Sequence, residues 1–291
     1  MNRFKKLSFG EERELESFLS RYPETSMFLR SNLRNSGIEY KSDTPYHGEY
    51  FAHYNSLGEI RGILAHYWNG NLMMQSPDLI TLKDLVHYFK SHCTRPICGI
   101  LGEERQAKIV IDLLEINSSS FALNEIEGLY QLLLSEMIVP NSIYQLKKAK
   151  HCDPGILKKW LTDYHIEALG ADLYNPSSMD SINNSIKEAS NRDDLWILEH
   201  DKLPVSLCGF NASLPDIVQI GPVWTPVEYR NQGYARNLVA LCLLEAKKNG
   251  VKQGILFTNN VAAERAYFSI GFKKIGEYRL AILRDKVSLE K

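Results

Sequence analysis

Apolar and polar positions along this chain keep two rhythms, period 2 and period 3.6, and their alternation predicts the order of elements. Before residue 37 two short helices are expected, one charged between Glu11 and Arg21 and one containing Met27-Phe28-Leu29-Arg30. Strand-like runs follow at Tyr50–Tyr54, Ile60–Trp68 and Leu72–Gln75, with Asn69-Gly70 as a type I′ hairpin signal between the last two. A helix over Leu79–His92, a strand over Ile97–Leu101, a helix over Glu103–Leu114 and a strand over Gly128–Met137 complete this half. Pro140-Asn141-Ser142 reads as a seam, so the pattern predicts one domain over residues 1–140 and a second over 143–291.

The second half starts with a helix capped by Asp153, with Pro154 at its first position, that runs through Trp160 and Tyr164 to about Leu169. A loop over Ala171–Ser178 and a helix over Met179–Ser190 precede strands at Leu195–Glu199 and Pro204–Asn211, joined by a tight His200-Asp201-Lys202 turn. A strand over Ile217–Trp224 leads to a helix that buries Ala235, Leu238, Val239, Cys242 and Ala246 and ends at Asn249-Gly250. A further strand, Gly254–Thr258, leads to a helix with Asn260 as N-cap and Gly271 as C′ residue. Ala263, Ala266, Tyr267 and Ile270 share one face of that helix. The predicted class is α+β, a mixed sheet flanked by helices, with a smaller α+β domain before it.

Candidate chemistry concentrates in Arg230-Asn231-Gln232-Gly233-Tyr234-Ala235, between an apolar strand and a long helix. A glycine there lets the backbone approach a ligand closely. The helix's first N–H groups have no internal partner, so the junction is a natural anion cradle. Taken alone, Gly233 reads as a turn residue before a helix and Tyr267 as an ordinary core residue.

The order and spacing of these pieces resemble the GNAT superfamily of acyl-CoA-dependent N-acyltransferases. Its phosphate signature, Arg/Gln-x-x-Gly-x-Gly/Ala, is matched by Arg230, Gly233 and Ala235; its later signature is matched by Asn260, Ala263, Tyr267, Gly271 and Phe272. The string from Ile220 to Arg230 is similar to a predicted-acetyltransferase branch. The likeness is specific over Ile217–Ile282 and weaker before it. It implies acetyl-CoA as co-substrate and no metal, with an amine of a small molecule, amino acid or peptide as acceptor. It also implies direct attack of that amine on the thioester. By the same resemblance, the backbone of Val223, Trp224 and Thr225 pairs with the pantetheine arm, and the amides of Arg230, Asn231, Gln232, Gly233, Tyr234 and Ala235 hold the pyrophosphate. Asn260 contacts the cofactor, and Tyr267, with an ordinary phenol pKa near ~10, protonates the departing sulfur. The general base is not legible: Glu228, His165 and His200 are candidates by chemistry alone, beside a substrate-bound or water-relayed proton path.

Composition changes this picture little. The chain has 291 residues and a formal net charge of −1, which gives no electrostatic case for nucleic acid or an anionic membrane. Its five cysteines form no C-x-x-C pair. Cys93 and Cys98, beside His92, lack further metal ligands, and the scattered set fits a reducing cytoplasm. No signal-peptide core and no apolar run near 18 residues is present. A P-loop is absent too, which weighs against an unrelated nucleotide-binding protein. An acyl-CoA-binding or regulatory module without turnover stays open beside the active enzyme. The first half repeats the order of the second, yet Pro77-Asp78 stands where a phosphate loop would be. That half is either a degenerate GNAT-like copy without a cofactor site or an unrelated α+β domain.

Overall fold

The structure, a computed structural model, describes residues 3–42, 44–141 and 143–289. Ser142, in the expected seam, lies outside the described residues. The chain forms two compact units, and they do not part at that seam. One comprises the described residues up to Leu129 together with Ile275 onwards; the other is Tyr130–Lys274.

The first unit contains β1 (Phe4–Lys6), α1 (Glu12–Leu19), α2 (Met27–Ser36), β2 (Gly48–Tyr54), β3 (Ile60–Tyr67) and β4 (Asn71–Gln75). It continues with α3 (Leu79–His92), β5 (Ile97–Glu103), α4 (Glu104–Leu113) and the start of β6 (Phe121–Leu133). Its sheet order is β1-β2-β3-β4-β5, continued by β12 (Lys273–Val287). Neighbours are antiparallel except β4 and β5, and β12 pairs antiparallel to β5 with Leu280 opposite Leu101. Alternation along the strands sends Tyr50, Ala52, Ile63 and Ala65 to the face covered by Leu15, Phe18, Leu29 and Leu33. Phe51, Leu64, Leu72 and Ile100 face Leu82, Phe89 and Val110 on the other side, where Ala281 and Leu283 of β12 join the same core.

The hairpin at Asn69-Gly70 differs from the expected type I′ turn. Only Gly70 is left-handed, at φ 78, and its N–H bonds to Tyr67 O at 3.0 Å. A type I turn closed by a left-handed glycine accommodates the bulky Trp68 without forcing Asn69 to positive φ. The left-handed pair that a two-residue primed turn needs occurs instead at Asp201 and Lys202, with φ of 51 and 66.

The second unit takes residues 130–133 of β6, then β7 (Gln145–Lys148), α5 (Pro154–Leu169), α6 (Pro176–Ala189) and β8 (Leu195–His200). Next come β9 (Leu203–Ser213), β10 (Ile217–Trp224), α7 (Tyr234–Lys248), β11 (Gln253–Thr258) and α8 (Val261–Phe268). β7, β8, β9 and β10 form an antiparallel run; β11 is parallel to β10, and β6 lies beyond β11. The α7 core stripe includes Leu238, Val239, Cys242, Leu243 and Ala246, whereas Ala235, expected in it, is only half-buried. Tyr130, Leu132 and Leu134 pack into this same core. Both units thus run two helices, an antiparallel meander, a helix and a parallel strand: the α+β class with a related arrangement in each half.

Candidate active site

β10 and β11 are paired for three residues only, Ile217 with Gln253, Val218 with Gly254 and Gln219 with Ile255. β10 then runs on to Trp224 with pairing to β9 alone, Val223 opposite Cys208 and Trp224 opposite Leu207. Register shifts on either side of Ile220 bend it. The β11 side of β10 from Ile220 to Trp224 is therefore a strand edge without a strand partner among the described residues, open to an extended ligand at the peptide groups that no side chain engages. Ser206, buried on β9, donates 2.9 Å to Trp224 O and lies 2.8 Å from Thr225 Oγ1, fixing the end of that edge.

The loop beyond it is shaped by two left-handed residues, Asn231 at φ 62 and Gly233 at φ 81. Gly233 is the N-cap of α7, and no side chain caps that helix end. A Cβ on Gly233 would sit 3.1 Å from Arg236 Nε in a backbone conformation that L side chains rarely adopt. The junction at Gly233 is thus an open helix N-terminus.

The Arg230 side chain, in contrast, points to protein. It forms a two-pronged pair with Glu167 of α5, at 2.8 and 2.9 Å, and Nε donates 2.9 Å to Thr225 O. Its guanidinium also lies 5.0 Å from the centre of the Trp224 ring. Arg230 ties the loop to α5, which leaves its backbone rather than its side chain toward the cradle. The Asn237 amide, one turn into α7, donates 2.9 Å to Gly233 O and holds the loop from the other side.

Asn260 acts first as a cap: its side-chain oxygen accepts from the N–H groups of Ala262 and Ala263 at 2.9 and 3.1 Å. Tyr267, on the next turns, is 6% exposed and packs on Phe272. Its hydroxyl makes no hydrogen bond among the described residues. Burial, with Cys208 and Tyr164 close by, pushes its pKa well above the ordinary phenol value. The expectation of an untuned Tyr267 is therefore corrected. The phenol stays protonated at neutral pH, and it is a weaker acid than a free one.

The three base candidates separate. Glu228 is exposed in the turn before the cradle. His165 is buried on α5 beside the Tyr164 ring, its pKa lowered by that burial. His200 is engaged at the cradle, Nδ1 lying 2.7 Å from the Tyr234 hydroxyl and the ring against Tyr144. Tyr234 is buried beneath the loop, and burial raises its phenol pKa.

Sequence reading missed Glu167, Ser206, Gln219 and Asn237. Only Asn237 carried a local signal, a polar residue on the apolar face of α7. Three of the buried side-chain atoms without a partner among the described residues lie here: Gln219 Oε1, Trp224 Nε1 and Asn237 Oδ1. Unpaired buried polar atoms are rare in folded chains, so three of them in one region single it out as a candidate site.

The corresponding helix end in the first unit is closed. Asp78 caps α3, its carboxylate accepting from the Thr81 hydroxyl and from the N–H groups of Ile80 and Thr81, which hold its pKa low. An anion is built into the chain where the second unit has Gly233. Among the described residues no cluster of three metal-ligating side chains occurs, and no helix is long and apolar enough to cross a membrane.

Residues 156–272 match the sequence model of the Acetyltransferase (GNAT) family, a span that runs from α5 to Phe272 and includes the whole loop and Tyr267. No curated protein matches the chain significantly. Solved structures similar to it include a Drosophila protein with 12% identity and a TM-score of 0.62, covering 97% of this chain and 99% of that one. A GCN5-related N-acetyltransferase from Sphaerobacter thermophilus has 13% identity and a TM-score of 0.53, covering 97% and 95%. A tandem GNAT protein from the clavulanic acid biosynthesis pathway has 8% identity and a TM-score of 0.51, covering 99% and 98%. At such identities the likeness is one of fold, and it extends over both units.

Proposed function

The C-terminal half of this chain is a GNAT-family domain, and from that premise we propose that the protein transfers an acetyl group from acetyl-CoA to a primary amine. The acceptor is a small molecule, an amino acid or a peptide. The observation that carries this reading is the uncapped N-terminus of α7 at Gly233, reached along a β10 edge that β11 leaves unpaired. One feature receives an anion and the other an extended amide-bearing arm, and they are consecutive in the chain.

On this reading the backbone of Val223, Trp224 and Thr225 pairs with the pantetheine arm. The loop amides from Arg230 to Ala235 hold the pyrophosphate, helped by the helix dipole. Arg230 and Asn237 keep that loop in shape rather than touching phosphate. Asn260 caps α8, and its amide nitrogen is the end that faces the cofactor. The amine attacks the thioester carbonyl, the C–S bond breaks, and Tyr267 gives its proton to the leaving thiolate. The five free cysteines fit a reducing cytoplasm.

The raised pKa of Tyr267, which makes it a weaker acid, favours one competing reading, a module that binds acyl-CoA without turning it over. A single experiment separates the two: thiol release from acetyl-CoA is measured against ethanolamine, the free amino acids and a short peptide with a free N-terminus. Amine-dependent thiol release supports the transferase. Calorimetric binding of acetyl-CoA with no release against any of them supports the binding module.

A further inference from the structure

Gln219 stands at the inner end of the gap between β10 and β11, and half of its side-chain amide is unused. It is the last β10 residue with a partner on β11, and it is only 4% exposed. Nε2 donates 2.8 Å to the carbonyl of Ile220, the first residue past that pairing. A carbonyl oxygen only accepts, so this bond fixes which end of the amide is which. Oε1 is then a buried acceptor without a partner among the described residues. Burying such a group unpaired is unfavourable, and in a site it marks the place of a ligand donor.

Chemistry narrows what that donor is. The missing partner must bring an N–H or O–H, since Oε1 can only accept. On the transferase reading, which this inference rests on, the pantetheine amides are matched by β10's own backbone, and the thioester carbonyl has no hydrogen to give. The arm's one hydroxyl lies at its pyrophosphate end, so the attacking nitrogen is the donor that remains beside the thioester.

We propose that Gln219 Oε1 accepts an N–H of the acceptor amine and so determines which amines are acetylated. A neutral amide oxygen orients and does not deprotonate; no bond to Gln219 forms or breaks, and the proton lost by the nitrogen goes to another base. A primary amine loses one hydrogen on acylation and keeps another for Oε1 throughout. A secondary amine gives up its only one. Gln219 therefore selects primary over N-methylated amines.

The test compares the best primary amine of the panel above with its N-methyl counterpart, in the wild type, Gln219→Met and Gln219→Glu. Gln219→Met should raise KM for the primary amine about tenfold, as expected for one lost hydrogen bond, and compress the preference over the N-methyl amine. The Kd for acetyl-CoA should stay within about twofold. Gln219→Glu keeps an acceptor oxygen and should retain the preference. Unchanged KM and preference in Gln219→Met overturn the proposal, and so does an acetyl-CoA Kd that moves as far as the amine KM. Should Gln219→Met not fold, loss of the preference in folded Gln219→Glu overturns it equally. A wild type that binds acetyl-CoA and acetylates no amine defeats the transferase reading itself, and Gln219 with it. A wild type that turns over beside an indifferent Gln219→Met defeats Gln219 alone.

Discussion

Tyr130 and Glu264, 134 residues apart in sequence, are joined by a 2.5 Å hydrogen bond from the phenol to the carboxylate. That bond fastens the strand residues at the start of the second unit to α8, the helix that carries Tyr267. Burial, and after it the Glu264 carboxylate, raises the Tyr130 pKa to about 12. The unit cannot be cut at residue 140 without losing Tyr130, Leu132 and Leu134 from its core.

Leu132→Ala should accordingly destabilise the unit that holds the cradle, by about 2–5 kcal/mol for a buried leucine. Differential scanning calorimetry would show its transition moving down, and acetyl-CoA should restore part of the loss by binding the folded form. A chain begun at residue 143 should fare worse and show no cooperative transition. Such a transition, with wild-type acetyl-CoA affinity, would contradict the role given to residues 130–134.

Gly233→Val should lower acetyl-CoA affinity by about tenfold or more. The branched side chain must leave the left-handed region or push Arg236 aside, and either change turns the first α7 amides away from the anion. Isothermal titration reads the effect directly, and an unaltered Kd would remove Gly233 from the cradle.

Arg230→Ala should weaken acetyl-CoA binding while leaving its dependence on salt concentration unchanged. The side chain is paired with Glu167 and Thr225 O, and its ion pair is partly exposed, so the stability cost should be small, about 0–1 kcal/mol. Titrations at two ionic strengths distinguish this from a direct phosphate contact, whose removal would flatten the salt dependence.

Tyr267→Phe should reduce kcat by ~10²-fold with little change in acetyl-CoA Kd. The phenol's pKa is raised, so the protonated form that donates persists to above pH ~10, and no falling limb below that pH should belong to Tyr267. An alkaline limb near pH 8 that vanishes in Tyr267→Phe would contradict this assignment.

Buried phenols also set an alkaline limit on the fold. Tyr50, Tyr67, Tyr130, Tyr267 and Tyr278 all have pKa values raised chiefly by burial. A group protonated more strongly when folded contributes its full stability below its unfolded pKa of about 10, and loses it as pH rises toward the folded value. Unfolding monitored by circular dichroism should therefore grow steeply above pH ~10, together with phenolate absorbance at 295 nm. Phenolate appearing ahead of unfolding would mean that these rings are less protected than their burial implies.

The elements around the cradle were legible because their signals are local. Asp153 and Asn260 cap the helices they were expected to cap, since an N-cap needs only its own next three residues. β12 was not assigned at all, although Tyr278, Ala281 and Leu283 are buried along it. Its partner is β5, far away in sequence, and no local pattern encodes that choice. Arg230 was read as part of the phosphate signature, but the direction of its side chain depends on Glu167 from another helix. Gln219 lies inside the strand expected over Ile217–Trp224, and its meaning appears only where β11 diverges. Each of these features depends on residues that are distant in sequence.

Pairing of β12 with β5 also has a consequence for synthesis. Glu103 and its partner Tyr278 are 175 residues apart, so at roughly 5–20 residues per second β5 waits on the order of 10–30 s for its neighbour. Through that interval the growing chain presents an unpaired strand edge flanked by the hydrophobic residues that Ala281 and Leu283 will later cover. This edge is a ready partner for another nascent chain. The first unit to leave the ribosome is therefore the last to be closed, and its yield should depend more on chaperone supply and translation speed than that of the unit bearing the cradle.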